Sequence, residues 1–170
     1  MYATLSRILK KFFKESTIFK YGFNVSPMYR RSTGKICAVS EDLLRARVKI
    51  PISYKNRNYV GSIFGGSLFS ATDPVFMIQL MNVLGNDYVV WDKEATIKFK
   101  RPATQDAYVD FIFTEEEIQE IKERVVTEKE INLNKEIKIT NKDESTVFAE
   151  VSKVIYIADK VYYKNKRKKK

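Results

Sequence analysis

The sequence predicts an α+β protein in which one curved antiparallel sheet wraps around a long central apolar helix. Several segments carry hydrophobic residues at every second position, a pattern typical of strands with one buried face. Between them, residues 66–84 form a predominantly apolar segment, which is typical of a helix inside a core. No other part of the chain is suited to cover such a helix, so the sheet must enclose it.

The composition excludes several kinds of site. The chain has 170 residues, 44% hydrophobic and 31% charged, as expected for one soluble globular domain. Cys37 is the only cysteine, which excludes a disulfide or a cysteine-based zinc site within one chain. The absence of histidine excludes Ser-His and Cys-His nucleophiles and His-ligated metals. Carboxylate, hydroxyl, amine and backbone chemistry remain, and we expect neither a metal nor an organic cofactor.

Both ends of the chain are basic and are expected to flank a single domain at residues 23–160. In residues 1–22, apolar residues recur at helical spacing with basic residues between them. This pattern predicts an amphipathic helix packed on the domain and not a secretory signal. Residues 164–170 carry six basic side chains of a chain whose formal net charge is +10. We expect residues 161–170 to be a disordered, solubilising tail. A cytoplasmic protein without a specific nucleic-acid partner is predicted, and membrane contact is less favoured.

The elements of the domain follow one another in a definite order. After a loop at 24–34, alternation in 44–50 predicts a strand, with Lys35–Val39 as its hairpin partner. Thr114 and Glu117 predict the capping box of a short surface helix. Four strands are expected after the central helix, at residues 95–100, 108–113, 131–139 and 147–157.

Asp73 is the first candidate for chemistry. It is the only formal charge between Arg57 and Asp87, and it lies within the apolar central segment. A lone buried carboxylate ion is costly, so it must be solvated by a cleft, bonded by backbone donors or kept protonated. We favour the interpretation that Asp73 lines a ligand site. The alternatives are a helix cap, with Pro74 at the first helical position, or a protonated core carboxyl.

The motifs around Asp73 resemble those of hotdog-fold acyl-CoA thioesterases. Asn58 is followed by the pair Gly65–Gly66 and then, eight residues after the first glycine, by the acid. The phenylacetyl-CoA-pathway and 4-hydroxybenzoyl-CoA thioesterases carry a similar arrangement, and residues 101–103 resemble the Arg-Pro-Ala that follows their helix. The resemblance covers residues 34–157 and is strongest to a branch named only as a domain of unknown function.

The resemblance implies a role for each of these residues. Gly65 would donate its N–H to the thioester carbonyl, and Gly66 would let the helix start close to the ligand. Asp73 would be the nucleophile or the general base that activates water, and Asn58 would orient the carbonyl or the water. Because such sites lie across a subunit interface, a homodimer or homotetramer is implied. The acyl pocket would be lined by Phe64, Phe69 and Met77.

Three residues depart from the thioesterase pattern. Phe64 stands where a histidine usually precedes the glycines, and Met77 stands where active relatives often have a Ser or Thr that holds water. Pro74 disfavours helical geometry at Asp73 and frees the carbonyl of Ser70, so we expect a kink there. Phe64 and Met77 favour an acyl-binding module without turnover as the alternative to an enzyme.

Hydrolysis of an acyl thioester, with acyl-CoA as the expected substrate, is the favoured function. The alternative is a non-catalytic module that binds acyl-CoA or an acyl group. A third interpretation is a peripheral membrane protein anchored by its two basic ends. Lys98, Lys100 and Arg101 could meet coenzyme A phosphates, although a solvated strand face is favoured, and Asp92 is expected to lie in a turn.

Overall fold

The structure is a computed structural model that describes residues 12–168. Its strands are β1 (Lys35–Val39), β2 (Arg45–Ile50), β3 (Tyr88–Phe99), β4 (Ala107–Ile112), β5 (Glu130–Thr140) and β6 (Val147–Asp159). Its helices are α1 (Glu15–Val25), α2 (Pro27–Arg31), α3 (Gly65–Ser70), α4 (Val75–Leu84), α5 (Glu115–Glu128) and α6 (Lys160–Lys168). The strands form one antiparallel sheet in the order β1-β2-β4-β5-β6-β3.

The curved sheet packs around α3 and α4, which confirms the predicted α+β architecture. Phe76 of α4 is fully buried, and its ring meets the rings of Phe111 and Phe113 edge-on at 4.9 and 5.1 Å. Leu68 of α3 is buried in the same core. The apolar faces of the strands and of both central helices therefore share one hydrophobic core, as a helix with few polar residues requires.

The central helical segment is broken at its middle. The sequence predicts one helix with a kink at Asp73. The structure instead has two helices, α3 and α4, separated by a turn at 71–74. The Asp73–Pro74 peptide in this turn is cis. The kink is therefore present as a complete break. Its cause is Pro74, which has no N–H to donate and disfavours helical geometry in the residue before it. Since α4 begins at Val75 and Pro74 holds the N-cap position, Asp73 is not the helix cap.

The N-terminal region packs on the sheet. Helix α1 buries Phe19 and Phe23 and contacts β1. Residues 1–11, half of the predicted amphipathic helix, lie outside the described residues. The predicted loop at 24–34 contains helix α2, because Pro27 at the first helical position favours a helical start. Among residues 12–168, no helix is long and apolar enough to cross a membrane.

The basic C-terminal segment is helical as far as Lys168. This corrects the predicted disordered tail, and two local contacts explain the difference. The Asp159 carboxylate accepts the N–H of Tyr162 at 2.7 Å, which caps the start of α6. Tyr163 packs its ring edge-on against Trp91 of β3 at 5.2 Å. Both contacts stabilise the helix against the mutual repulsion of its lysines.

The predicted surface helix is α5, and its capping box is confirmed. The Thr114 hydroxyl accepts the N–H of Glu117 at 3.1 Å, while the Glu117 carboxylate accepts the N–H of Thr114 at 3.0 Å. Helix α5 ends at Glu128, where it leads directly into β5. The local sequence signal is sufficient here because both partners of the cap lie within one helical turn.

One buried hydrogen bond joins the N-terminal region to the break in the central helix. The Tyr29 hydroxyl donates to the carbonyl of Ala71 at 2.9 Å, and both residues are buried. Burial, with a smaller contribution from Cys37, raises the pKa of Tyr29 well above its ordinary value, so the hydroxyl keeps its proton. The turn that carries Asp73 is thus held from the side of α2.

We expect Tyr29→Phe to lower the free energy of unfolding by about 1–3 kcal/mol, because the buried Ala71 carbonyl would lose its partner. Denaturant unfolding of the two proteins measures the difference. Tyr59→Phe is the control, since Tyr59 is fully exposed and should be neutral. An equal loss in both variants would contradict the assignment.

Candidate functional site

Asp73 lies beside a buried lysine and a second carboxyl group. The Lys153 ammonium donates to Asp73 Oδ1 at 3.1 Å and to Asp92 Oδ2 at 2.7 Å. The Lys153 side chain is fully buried, the Asp92 side chain is 15% exposed and the Asp73 side chain is 60% exposed. One buried cation therefore links two carboxyl groups, of which only Asp73 opens broadly to solvent.

The sheet register brings Lys153 and Asp92 to the same face. Lys153 of β6 pairs with Ala95 of β3, and Ile155 pairs with Asp92. A bulge at Lys93 adds one residue between these two pairs, so the inward face of β3 includes both Asp92 and Ala95. Without the bulge, strict alternation would turn one of them outward. The two carboxyl groups and the ammonium meet because the break in the central helix lies over this part of the sheet.

The surroundings shift the pKa values of the two carboxyl groups in opposite directions. Burial alone would raise the pKa of Asp73, but a hydrogen bond from Asp92 and the Lys153 charge outweigh burial and lower this pKa below its ordinary value. Burial and the hydrogen bond to Asp73 raise the pKa of Asp92, against the opposing effect of Lys153. The pair therefore favours an ionised Asp73 next to an Asp92 that holds its proton longer.

This arrangement has the parts that acid-base chemistry needs. An ionised, accessible carboxylate can accept a proton from water or attack an electrophilic carbon. No group of three or more acidic or cysteine side chains in residues 12–168 is placed to hold a metal ion.

Gly65 lies in a separate open groove of about 410 Å³ at the start of α3. The walls are formed by the 58–63 loop, by α3 and by the end of β3 with the residues after it. The lining residues are Asn58, Ser62, Ile63, Gly65, Leu68, Phe99, Lys100, Arg101, Pro102 and Ala103. Backbone hydrogen bonds fix the loop, from Ile63 to Ala103 at 2.8 Å and from Phe64 to Asn56 at 2.7 Å.

The glycine pair is covered by two aromatic rings. A Cβ atom at Gly65 would lie 2.7 Å from the Phe99 ring, and one at Gly66 would lie 2.3 Å from the Phe64 ring. Both distances are below normal contact, so only glycine leaves room for the rings in their present positions. Phe64 and Phe99 are each more than half exposed, at 58% and 57%. The start of α3 therefore presents an apolar surface beside the groove.

The Asn58 side chain is used within its own loop. Its carbonyl oxygen accepts the N–H groups of Val60 and Ser62, each at 3.1 Å, and its amide donates to the Ser62 hydroxyl at 3.0 Å. Gly61, with φ of 81°, completes this turn. Asn58 thus shapes the groove wall. Buried Asn56, which no sequence pattern pointed to, donates its amide to the Thr33 hydroxyl and the Pro51 carbonyl on the inner side of the loop.

The predicted site residues fall into two groups within one chain. Asn58, Gly65, Gly66 and Phe64 lie at or next to the groove, whereas Asp73 lies beyond the opposite end of α3. Six helical residues span about 9 Å, which separates the two groups. The other predicted pocket residues, Phe69 and Met77, are partly buried and pack against the core.

Lys153 and Asp92 were missed from the sequence. Asp92 lies in β3 and not in the predicted turn. The inward positions of β6 run Ala149, Val151, Lys153, Ile155, so a lysine interrupts an otherwise apolar series. That interruption was the available signal, since a charged residue at a core position needs a partner. The partner Asp92 gave no such signal, because a bulge shifts the alternation of β3.

Solved structures with similar folds include several connected with thioesterases. A Pseudomonas aeruginosa protein of unknown function, described as a probable thioesterase, has a TM-score of 0.73 and 19% identity, covering 84% of this chain and 95% of that chain. A Chlorobaculum tepidum protein of unknown function has a TM-score of 0.68 and 18% identity, covering 85% of this chain and 94% of that chain. A Haemophilus influenzae thioesterase has a TM-score of 0.60 and 10% identity, covering 85% of this chain and 90% of that chain. These likenesses establish the fold.

Sequence comparison adds the family. No match was found among proteins with curated descriptions. The model of a domain of unknown function, DUF4442, matches residues 15–157, which include the sheet, the broken central helix and the Asp73 cluster. The chain therefore belongs to the DUF4442 family and has the hotdog fold of thioesterase-like proteins.

Proposed function

We propose that this chain hydrolyses an acyl thioester, with an acyl-CoA as its substrate, and that Asp73 is the base that activates water. The observation that carries the proposal is the Asp73 carboxylate, which is exposed to solvent yet held by the buried Lys153 ammonium at 3.1 Å. The lowered pKa of Asp73 keeps it ionised at neutral pH, as a base must be.

The reaction proceeds in two steps. Asp73 accepts a proton from water as the water oxygen bonds to the carbonyl carbon, and the Gly65 N–H stabilises the oxyanion that forms. The tetrahedral species then collapses, the carbon–sulfur bond breaks, and the proton returns from Asp73 to the sulfur. The products are a carboxylic acid and a thiol. Asn58 acts by holding the loop of the groove, consistent with its hydrogen bonds to Val60 and Ser62.

The groove suits the phosphate-bearing part of coenzyme A. Arg101 and Lys100 lie in its wall beside Gly65. Lys100 pairs with Glu150 at 2.8 Å, whereas Arg101 is exposed and makes no ion pair with the residues that the structure describes. A guanidinium binds phosphate oxygens in a bidentate manner, so Arg101 is the proposed contact to the carrier. The exposed rings of Phe64 and Phe99 would border the acyl group.

A homodimer is proposed because the two groups of site residues are separated within one chain. Strand β3 has 12 residues and forms one edge of the sheet, and among residues 12–168 no strand pairs with its outer side. Such a long free edge favours pairing with another chain. In a symmetric pair, the groove of one subunit can face Asp73 of its partner, and two equivalent sites result.

We expect Asp73→Asn to lower kcat by about 10²–10⁴-fold, because the amide cannot accept the proton of water. Thiol release from a series of acyl-CoA substrates measures the loss. Asp87→Asn is the matched control, since Asp87 is an exposed aspartate outside the site. Equal rates for Asp73→Asn and the unmodified protein would remove Asp73 from the mechanism.

A non-catalytic acyl-binding module is the second candidate. It is favoured by the ring of Phe64 against Gly66 and by the Asn58 amide, which is already bonded within its loop. The same measurements separate the two functions. Acyl-CoA that binds to the unmodified protein without release of thiol would support the module and exclude hydrolysis.

The pH profile of kcat/KM should follow the ionisation of Asp73. Because the pKa of Asp73 is lowered, activity is expected to be flat through neutral pH and to fall only below the usual carboxyl range. In Lys153→Met the cation is absent, so the pKa of Asp73 rises and the acid limb moves to higher pH. Lys135→Met is the control, because the Lys135 ammonium pairs with Glu117 at 2.8 Å. An acid limb that stays in place in Lys153→Met would contradict the role of this lysine.

Mixing two inactive variants tests whether the site is shared between subunits. Gly65→Val introduces a Cβ that conflicts with Phe99 at 2.7 Å and should block the groove, while Asp73→Asn removes the base. If the site combines Gly65 of one subunit with Asp73 of the other, mixed dimers keep one intact site of two. Random reassembly of equal amounts should then restore about one quarter of the activity. No recovery from a mixture that has exchanged subunits would refute the shared site.

A further inference from the structure

Helix α6 carries four basic residues on one face. Side chains three or four residues apart lie on the same face of a helix. Such steps connect Lys160 to Lys164, and Lys164 to both Arg167 and Lys168. We refer to these four residues as the cationic face. They line an open cleft of about 380 Å³ together with Val89 and Tyr163. Helix α6 contains no acidic residue, so nothing within it neutralises this face.

Contacts beside the cationic face fix α6 to the sheet. The Lys166 ammonium donates to Glu130, and the Tyr163 ring packs against Trp91 at 5.2 Å. These contacts hold the helix in one orientation. Lys160 is half-buried, and its ammonium donates to the Asn86 carbonyl at 2.7 Å. The exposed side chains of Lys164, Arg167 and Lys168 are therefore presented outward by a rigid support and need not be ordered from a flexible tail before binding.

The extent of the cationic face favours an array of anions over a single one. From Lys160 to Lys168 the helix rises by about 12 Å, which is more than one phosphate group can span. A surface that carries several phosphate or carboxylate groups would engage all four residues together. The two macromolecular surfaces of this kind are an anionic lipid bilayer and a nucleic acid.

Two features favour a bilayer. Val161 is 67% exposed and lies at the margin of the cationic face, where a lipid interface would bury it and a nucleic-acid backbone would not. The ring of Trp91 is stacked on Tyr156 at 4.7 Å, with Tyr163 against its edge, so these rings are not free to stack on bases.

We propose that the cationic face of α6 binds the surface of an anionic lipid bilayer. This inference is independent of thioester hydrolysis, because Trp91 and Asp92 are neighbours in β3 whose side chains point to opposite faces of the sheet. The lipid-binding face and the Asp73 cluster are thus on different sides of β3 and β6.

The single tryptophan provides a local probe of this binding. Trp91 is the only tryptophan of the chain and contacts α6 directly. We expect its emission to change when the full-length protein is mixed with phosphatidylcholine vesicles containing phosphatidylserine. Vesicles of phosphatidylcholine alone should give no change, and added salt should weaken the binding. No co-sedimentation with the anionic vesicles would overturn the proposal.

A triple variant and a charge-matched control locate the binding surface. Each basic residue near an anionic bilayer strengthens binding about five-fold, so neutralising three with Lys164→Gln, Arg167→Gln and Lys168→Gln should weaken it about 100-fold. The control carries Lys35→Gln, Lys122→Gln and Lys138→Gln, which give the same net charge away from α6. Binding of the triple variant as tightly as the unmodified protein, or an equal loss in the control, would overturn the proposal.

Val161→Ser separates lipid from nucleic acid without a change of charge. We expect it to weaken vesicle binding and to leave any binding of oligouridylate unchanged, because only the bilayer gains from apolar burial. Tight oligouridylate binding that depends on the cationic face, without vesicle binding, would assign this face to nucleic acid and overturn the proposal.

Discussion

The buried ammonium of Lys153 is the constraint on which the arrangement of the site depends. A fully buried charge is stable only when it is paired and hydrogen-bonded, and the two oxygens at 2.7 and 3.1 Å supply this. Asp92 comes from the adjacent strand, and Asp73 comes from the break in the central helix. The Lys153 ammonium of β6 therefore connects β3 and the turn between the two central helices through direct hydrogen bonds.

The break in the helix allows that connection. A continuous helix over this segment would have no free turn to carry Asp73 toward Lys153, and Pro74 prevents such continuity. Tyr29 holds the same turn from the other side through the Ala71 carbonyl. An acidic group in an apolar segment is thus supported by a cation on one flank and a buried hydrogen bond on the other, and its carboxylate still reaches solvent.

The sequence predicted those parts of the fold whose signals are local. Alternating residues located the strands except for the first half of β3, Thr114 and Glu117 located the capping box, and Pro74 located the break. The helical C-terminal segment was not predicted, because part of its support comes from Trp91, far away in the chain. The same reason applies to the site. Asp73 stood out by its isolation, whereas its pairing with Lys153 depends on a strand register and a bulge that no local pattern reveals.

The composition of the Asp73 cluster argues for a functional origin. An ion pair that serves stability alone contributes little, since well-packed apolar residues of similar volume are often neutral or stabilising in its place. Here the buried ammonium lies between two carboxyl groups, and the one that stays ionised, Asp73, is 60% exposed to solvent. What Asp73 gains from Lys153 is an ionised state with a fixed position at the edge of solvent. A structural ion pair also needs an ionised carboxylate, but a base that acts on water needs one that solvent reaches, which is why the proposed role falls to Asp73 and not to Asp92.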